Sequence, residues 1–166
     1  EFVESMGESE LQASFIIRNM YTLAYISVGG FSTVAKTYIS GLIAERRQSE
    51  LHTVMKRLMF LNFCTIALLT HGLWLYPEWI AGHFTQDAHV IEQTVDTMLI
   101  VLPAMLTFSF TSILLATVEG SGNTIAGFLV EIGTVAVYLS TAYVFIYNWH
   151  WPIHLVWLAD WVYFIA

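Results

Sequence analysis

Long uncharged segments separated by short polar stretches dominate the sequence. The four longest cover residues 19–35, 58–77, 97–118 and 132–159. A membrane-spanning helix needs about 20 mostly apolar residues, so the last segment is too long for one span. The run "YNWHWPIH" divides it, because proline suits the first turn of a new helix.

This pattern predicts five helices. They cover about residues 9–45, 49–76, 88–118, 122–147 and 152–166. In lipid, only helices and closed barrels satisfy every backbone group, and no strand-type alternation is visible. We therefore expect an all-α, polytopic membrane helix bundle with about four full transmembrane helices plus a truncated fifth. It would be a single transmembrane domain over residues 1–166, with both ends cut from a longer chain.

The composition supports a membrane protein. The chain is 57% hydrophobic and only 11% charged, whereas a soluble domain has about 25% charged residues. Neither a nucleotide-binding motif nor zinc-ligand spacing is present, and Cys64 is the single cysteine. We therefore expect no enzyme activity, cofactor, metal or nucleic-acid partner.

The basic residues predict an orientation. Four of the six lysines and arginines flank the first connection, at Arg46, Arg47, Lys56 and Arg57. The positive-inside rule then places 46–57 in the cytoplasm. Alternation also places 119–124 there, and 77–89 and 148–152 outside. The expected location is the cell (inner) membrane, with the lipid bilayer as a partner.

Three stretches resemble motifs of a known transporter family. "YPEWIAGHFTQDAHVIEQTV" resembles the periplasmic hairpin of the multidrug and toxic compound extrusion (MATE) transporters. "GSGNT" resembles the turn after their tenth helix, and "GESELQAS" the stretch joining helices seven and eight. The resemblance covers essentially the whole chain in order. It implies most of the C-terminal lobe, from the end of helix seven to the start of helix twelve.

The chain departs from the sodium-coupled NorM branch of this family at one position. That branch carries an acidic cation ligand on helix ten. By spacing from Gly120, this position falls at Phe108 here. The companion acid of helix seven would lie before residue 1. The resemblance therefore carries no NorM-type cation site over to this chain.

Three charged residues interrupt the apolar segments. Arg18, Glu131 and Asp160 each lie eight or nine residues, about 12–13 Å, from a predicted helix start. Because a hydrocarbon core is about 30 Å thick, all three are expected near mid-depth. An ionised group there costs roughly 2.5–3.5 kcal/mol and should find a partner. We expect Arg18 to pair with one or both acids, and Glu131 to face the lobe interior rather than lipid.

A polar stripe follows Glu131 on the same predicted helix. Thr134, Tyr138 and Thr141 stand at +3, +7 and +10 from it. The candidate coupling or cavity residues are thus Glu131, Arg18, Asp160, Thr134, Tyr138 and Thr141. Two interpretations stay open for the charged trio, a functional one and a structural ion network. For the hydroxyls, interhelical packing is the better-supported interpretation.

The leading hypothesis is a cation-coupled antiporter that exports drugs or other small organic compounds. Its partners would be the N-terminal lobe of the same transporter, a small organic substrate, and a proton or sodium ion. Alternating access needs two bundles that rock about a central site, so one lobe is not expected to transport alone. The alternatives are a non-transporting membrane scaffold subunit and a lipid-linked-sugar flippase of the same superfamily.

Overall fold

The computed structural model describes residues 7–165, and helices make up most of it. The helices are α1 (Glu8–Ala44), α2 (Leu51–Leu75), α3 (Pro77–Ala81), α4 (Ala88–Gly120), α5 (Thr124–Tyr143), α6 (Ile153–Val156) and α7 (Leu158–Ile165). A 3-10 turn at Gln48–Glu50 precedes α2, and a π-helical turn at Val144–Asn148 follows α5. Residues 7–165 contain no strand, so the predicted all-α class is confirmed.

The helix boundaries differ from the predicted ones in three places. The connection between α2 and α4 contains the short helix α3, which begins at Pro77, a favourable first helical residue. The predicted helix 122–147 begins later, at Thr124, because Asn123 caps it by accepting a bond from the Ala126 amide at 3.3 Å. The last predicted helix is interrupted at Trp157. The predicted end residues 1–6 and 166 lie outside the described part of the chain.

Helix α4 is the centre of the bundle. It contacts α1, α2, α5 and α7, as well as the short helices α3 and α6. The largest buried cluster joins α1, α2 and α4 through residues such as Ile17, Val28, Ile66, Met98 and Met105. The core therefore lies among α1, α2 and α4, while α5 and α7 pack on one side of α4.

Two smaller clusters fix the helix directions. Ala13 and Ile16 of α1 pack with Val90, near the start of α4. Ala35 of α1 packs with Ile113 near the other end of α4, and Met55 of α2 packs against the same cluster. Helices α1 and α4 are therefore parallel, and α2 runs the opposite way. Residues 46–57 and 119–124 thus lie at one end of the bundle, as the predicted alternation requires.

Three segments between residues 7 and 165 are long and apolar enough to cross a membrane. They are Gln48–Leu75, Ala88–Gly120 and Thr124–Asn148. Helix α1 has 37 residues, about 55 Å, which is more than enough length. Its lower average hydrophobicity keeps it out of this set. Length and apolar composition therefore identify three of the four predicted full transmembrane helices as able to cross a membrane.

Candidate functional site

A groove with a volume of about 290 Å³ lies where α4, α5 and α7 meet. Most of its wall is apolar. The lining residues are Phe108, Thr111, Ser112, Leu114, Leu115, Val118, Val130, Glu131, Thr134, Tyr163, Phe164 and Ile165. Glu131 is the single charged residue among them. The groove therefore combines an apolar surface with one carboxylate and a few hydroxyls.

Glu131 is held by α7 rather than by a basic residue. The Tyr163 hydroxyl donates to Oε1 of Glu131 at 3.2 Å. The Glu131 side chain is exposed along the groove wall, so the prediction that it lies inside the lobe is wrong for the described chain. The reason is that α5 packs on the side of the bundle against α4 and α7, which leaves the groove open beside it.

Arg18 does not join the two acids. Its side chain is exposed, and its guanidinium lies over the Phe15 ring, 5.5 Å from the ring centre. Among residues 7–165, no ion pair links Arg18 to Glu131 or Asp160. The predicted Arg18-centred ion network is therefore wrong for this structure.

The length of α1 explains this error. Ile16 packs with Val90, whereas Glu131 lines the groove with Thr111, 21 residues further along α4. That separation is about 30 Å along the helix, and Arg18 stands only two residues after Ile16. A helix of about 55 Å extends beyond a hydrocarbon core of about 30 Å. The start of α1 was therefore a poor reference point for depth.

Asp160 lies close to the groove wall but is buried. Its relative exposure is 9%, and it stands one helical turn before Tyr163 on α7. The structure thus brings Glu131 and Asp160 to the same tyrosine, Tyr163, and leaves Arg18 on another face.

The residues of the predicted stripe, Thr134, Tyr138 and Thr141, are half-buried on α5. The Thr134 hydroxyl donates to the carbonyls of Val130 and Glu131, each at 3.0 Å. Thr141 donates to its own helix as well, at 2.8 Å. The Tyr138 ring meets the Tyr163 ring edge-on, with 5.9 Å between centres. The threonines therefore satisfy their hydroxyls locally, and Tyr138 makes the contact with α7.

The attachment of α7 to α4 was not predicted from the sequence. The Trp161 indole donates to the Ile100 carbonyl at 3.0 Å, just before Pro103. Proline lacks an amide hydrogen, which weakens the backbone bonding of this turn. Phe164 also stacks on Phe108, with 4.6 Å between ring centres. Phe108 is therefore part of the aromatic contact between α4 and α7.

A hydrogen bond from Asn62 of α2 to α4 was also not predicted from the sequence. The Asn62 side chain is completely buried on α2, and its Nδ2 donates to the Ser109 carbonyl at 2.8 Å. Its Nδ2 is also 3.5 Å from the hydroxyl of Ser112, which lines the groove. A lone asparagine in an apolar run was the available signal, because such a side chain needs a partner in lipid.

The remaining polar residues form no metal centre in the described range. No group of three or more His, Cys, Asp or Glu side chains that could hold a metal ion occurs within residues 7–165. Cys64 is exposed on the surface of α2. Of the candidate residues from the sequence, Glu131 and Thr134 line the groove.

Long apolar helices packed around a central helix define a multi-pass membrane protein. The sequence profile of the MatE family matches residues 2–144, which is most of the chain. The chain therefore belongs to the MatE family of membrane transporters. No curated protein matches the chain. Helices α6 and α7, including the Tyr163 wall of the groove, lie beyond the matched residues.

Proposed function

We propose that the full-length protein is an antiporter that exports drugs or other small organic compounds against an inward flow of protons or sodium ions. This chain supplies most of its C-terminal lobe. Family membership supports the transporter class. The observation that carries the finer proposal is the groove between α4, α5 and α7, with Glu131 on its wall.

The groove suits a small, largely apolar compound. Its volume of about 290 Å³ is near the lower limit of ligand pockets, which are mostly apolar with a few placed polar groups. Phe108 and Phe164 offer ring faces, and Glu131 offers a negative charge. A flat body with a polar or positive group matches this combination. The N-terminal lobe would complete the binding site from the other side.

Glu131 is the residue proposed to couple ion binding to movement. Its carboxylate accepts the Tyr163 hydroxyl, which ties α5 to α7 across the groove. Protonation, or a bound sodium ion, would change the charge at this contact and hence the relative stability of two packings of these helices. An intramembrane acid is a functional candidate for this reason.

Asp160 and the tyrosines are proposed to support that role. Asp160 is buried one turn from Tyr163, and Tyr138 packs against the Tyr163 ring. A charge change at one acid would therefore reach the other through Tyr163. Thr134 and Thr141 shape the α5 surface, while Arg18 lies too far along the bundle to take part.

The test is export by the full-length protein in proteoliposomes, under a proton gradient and a sodium gradient applied separately. Glu131→Gln keeps the size of the side chain and removes its charge. We expect normal insertion but loss of gradient-driven export, at least tenfold. Glu78→Gln, an exposed acid on α3, is the matched control and should export normally.

Two outcomes would contradict the proposal. Export by Glu131→Gln at the wild-type rate and abundance would end the coupling role of this residue. Absence of export by the wild type under both gradients would instead favour the flippase or scaffold alternative. A flippase would still move a lipid-linked sugar between the two leaflets.

A further inference from the structure

The exposed side of α2 carries two cations next to an apolar surface. Lys56 and Arg57 are exposed, and no ion pair within residues 7–165 involves either of them. Phe60 and Leu61 stand four residues further on, one helical turn along the same side, and both are more than half exposed. Positive charge and apolar surface therefore adjoin on one face of this helix.

The apolar surface continues along the helix as a strip. Cys64 and Leu68 follow Leu61 at helical spacing, and both are exposed. Phe60, Leu61, Cys64 and Leu68 form what we call the α2 strip. The Thr65 hydroxyl beside it donates to the Leu61 carbonyl at 2.9 Å, so this group is satisfied without water. The α2 strip is therefore suited to contact with hydrocarbon.

The two cations stand where a membrane surface would cross the helix. Residues 58–75 contain no Asp, Glu, Lys or Arg. From Arg57 to Leu75, where α2 ends, the helix rises about 27 Å, close to a hydrocarbon thickness of about 30 Å. Trp74 is exposed at the far end, where membrane boundaries are rich in tryptophan. Lys56 and Arg57 therefore lie near the level of lipid phosphates, which their long side chains can reach.

The acids in the neighbouring connection do not neutralise these cations. Glu45 and Glu50 both bind Arg47, with nitrogen–oxygen distances of 2.9 and 2.8 Å. A zwitterionic headgroup would bring its own cation to Lys56 and Arg57, whereas an anionic headgroup brings a net negative charge. Clusters of basic residues at the end of a membrane helix attract anionic lipids for this reason. Charge complementarity thus selects an anionic lipid for this face.

We propose that Lys56 and Arg57, together with the α2 strip, form a binding site for an anionic phospholipid. Its phosphate lies at the two cations, and an acyl chain lies along the strip. No residue of α2 lines the Glu131 groove, so lipid binding here does not depend on the export of a substrate. A bound lipid would fix the depth of α2 in the membrane.

The experiment measures lipid binding to the purified full-length protein after delipidation in a neutral detergent. Phosphatidylglycerol or phosphatidylcholine with identical acyl chains is added, and native mass spectrometry counts the bound molecules. The wild type should prefer phosphatidylglycerol at least tenfold. Lys56→Gln/Arg57→Gln should bind it at least tenfold more weakly, because each basic residue near an anionic membrane contributes about fivefold in affinity. The exchange Lys56→Arg/Arg57→Lys keeps both charges and should keep the affinity.

Two matched controls separate the site from general effects. Arg46→Gln/Arg47→Gln removes two cations from the connection before α2 and should keep wild-type affinity. Phe60→Ala on the α2 strip should weaken binding at least threefold. Phe128→Ala, at an equally exposed ring on α5, should not, because α5 carries no Lys or Arg to hold a headgroup.

Several results would overturn the proposal. One is equal affinity of the wild type and Lys56→Gln/Arg57→Gln for phosphatidylglycerol. Another is an equal loss in Arg46→Gln/Arg47→Gln, because that is an effect of net charge. If inorganic phosphate raised the unfolding temperature as much as phosphatidylglycerol, the ligand would be a free anion instead of a lipid. Retention of neither lipid by the wild type would mean that the N-terminal lobe covers the α2 strip.

Discussion

Helices α4 and α5 are both apolar enough to span a membrane, yet they are packed very differently. In the apolar stretch of α4, 44% of the residues are buried, against 11% in that of Thr124–Asn148. Helix α4 is surrounded by α1, α2 and α7, whereas α5 contacts mainly α7 and α4. Hydropathy identifies segments that leave water. It does not identify which of them form the core, because lipid is as apolar as a protein interior.

The exposed side of α5 shows what this difference means. Ile125, Phe128, Leu129 and Ile132 are each more than half exposed in the described chain. In a bilayer these side chains would face lipid or another part of the transporter. The groove with Glu131 lies at the boundary between the packed bundle of α1, α2 and α4 and the loosely packed pair α5 and α7. A conformational change would cost least at this boundary, since few buried contacts have to break.

Substitutions at two glycines, Gly120 on α4 and Gly133 on α5, test this difference in packing. The largest effect of all the predicted changes is expected at Gly120. A Cβ at Gly120 would lie 2.9 Å from the Lys36 carbonyl oxygen and 3.0 Å from its Cα, which are backbone atoms. Gly120→Ala must therefore separate α1 from α4, and the Ser40 hydroxyl would lose its 2.8 Å bond to the Gly120 carbonyl. We expect a loss of about 1–3 kcal/mol in the free energy of unfolding.

Gly133 is the control for this change. It lies on α5 with nothing within 4 Å of its ideal Cβ, so alanine there meets no neighbour. Gly133→Ala should leave stability unchanged or raise it by up to about 1 kcal/mol through helix propensity. Unfolding in mixed detergent micelles measures both. Equal destabilisation would mean that α5 is as tightly packed as α4, and the comparison would fail.

A polar pair gives the next largest effect. Asn62→Leu removes the bond from the buried amide to the Ser109 carbonyl, between α2 and α4. We expect a loss of about 0.5–2 kcal/mol, in the range of interhelical bonds in membranes. Thr134→Val on α5 removes a hydroxyl that is bonded only to its own helix, so it should change stability by less than about 0.5 kcal/mol. The same unfolding assay measures both variants. A larger loss of stability in Thr134→Val than in Asn62→Leu would contradict the difference in packing between α4 and α5.

The helices were predictable because their signals are local. The apolar runs, the Pro77 start and the glycine-containing turn before α5 place α2, α4 and α5 within a few residues. The family motifs were readable for the same reason, since each is one continuous stretch of sequence. The short helix α3 was missed because five residues are too few to show a periodic pattern.

The site was less predictable because it depends on how helices align. Glu131 and the α5 stripe were found, since a lone acid in an apolar run is conspicuous. Arg18 was wrongly predicted to be the partner of Glu131. Its distance from the helix start gives its depth only if α1 begins at the membrane surface. Tyr163 could not be assigned to Glu131, because their contact depends on the rotation of α7 against α5.

The third prediction concerns the attachment of α7 to the packed bundle. Trp161→Phe keeps an aromatic ring and removes the bond to the Ile100 carbonyl. We expect a loss of about 0.5–1.5 kcal/mol, confined to local opening of α7. Hydrogen exchange should therefore become faster in 158–165 and stay unchanged in α1 and α2. The control Trp149→Phe, at an exposed tryptophan, should leave exchange in α7 as it is. Faster exchange throughout the chain would show that α7 belongs to the core.

The smallest effect is expected at the ion pair between Lys36 of α1 and Glu119 of α4. The Lys36 side chain is 48% exposed and that of Glu119 27%, so solvent screens the attraction. A pair of this kind contributes roughly 0.2–1 kcal/mol. Lys36→Gln, Glu119→Gln and the double variant form a cycle that isolates the pair, and its coupling energy should fall as salt is added. Close helix packing at Gly120 would then hold α1 on α4 more strongly than their opposite charges do. If the coupling energy of the pair exceeded the loss of unfolding free energy in Gly120→Ala, this order would be reversed. The ion pair would then be the main link between α1 and α4 at this end.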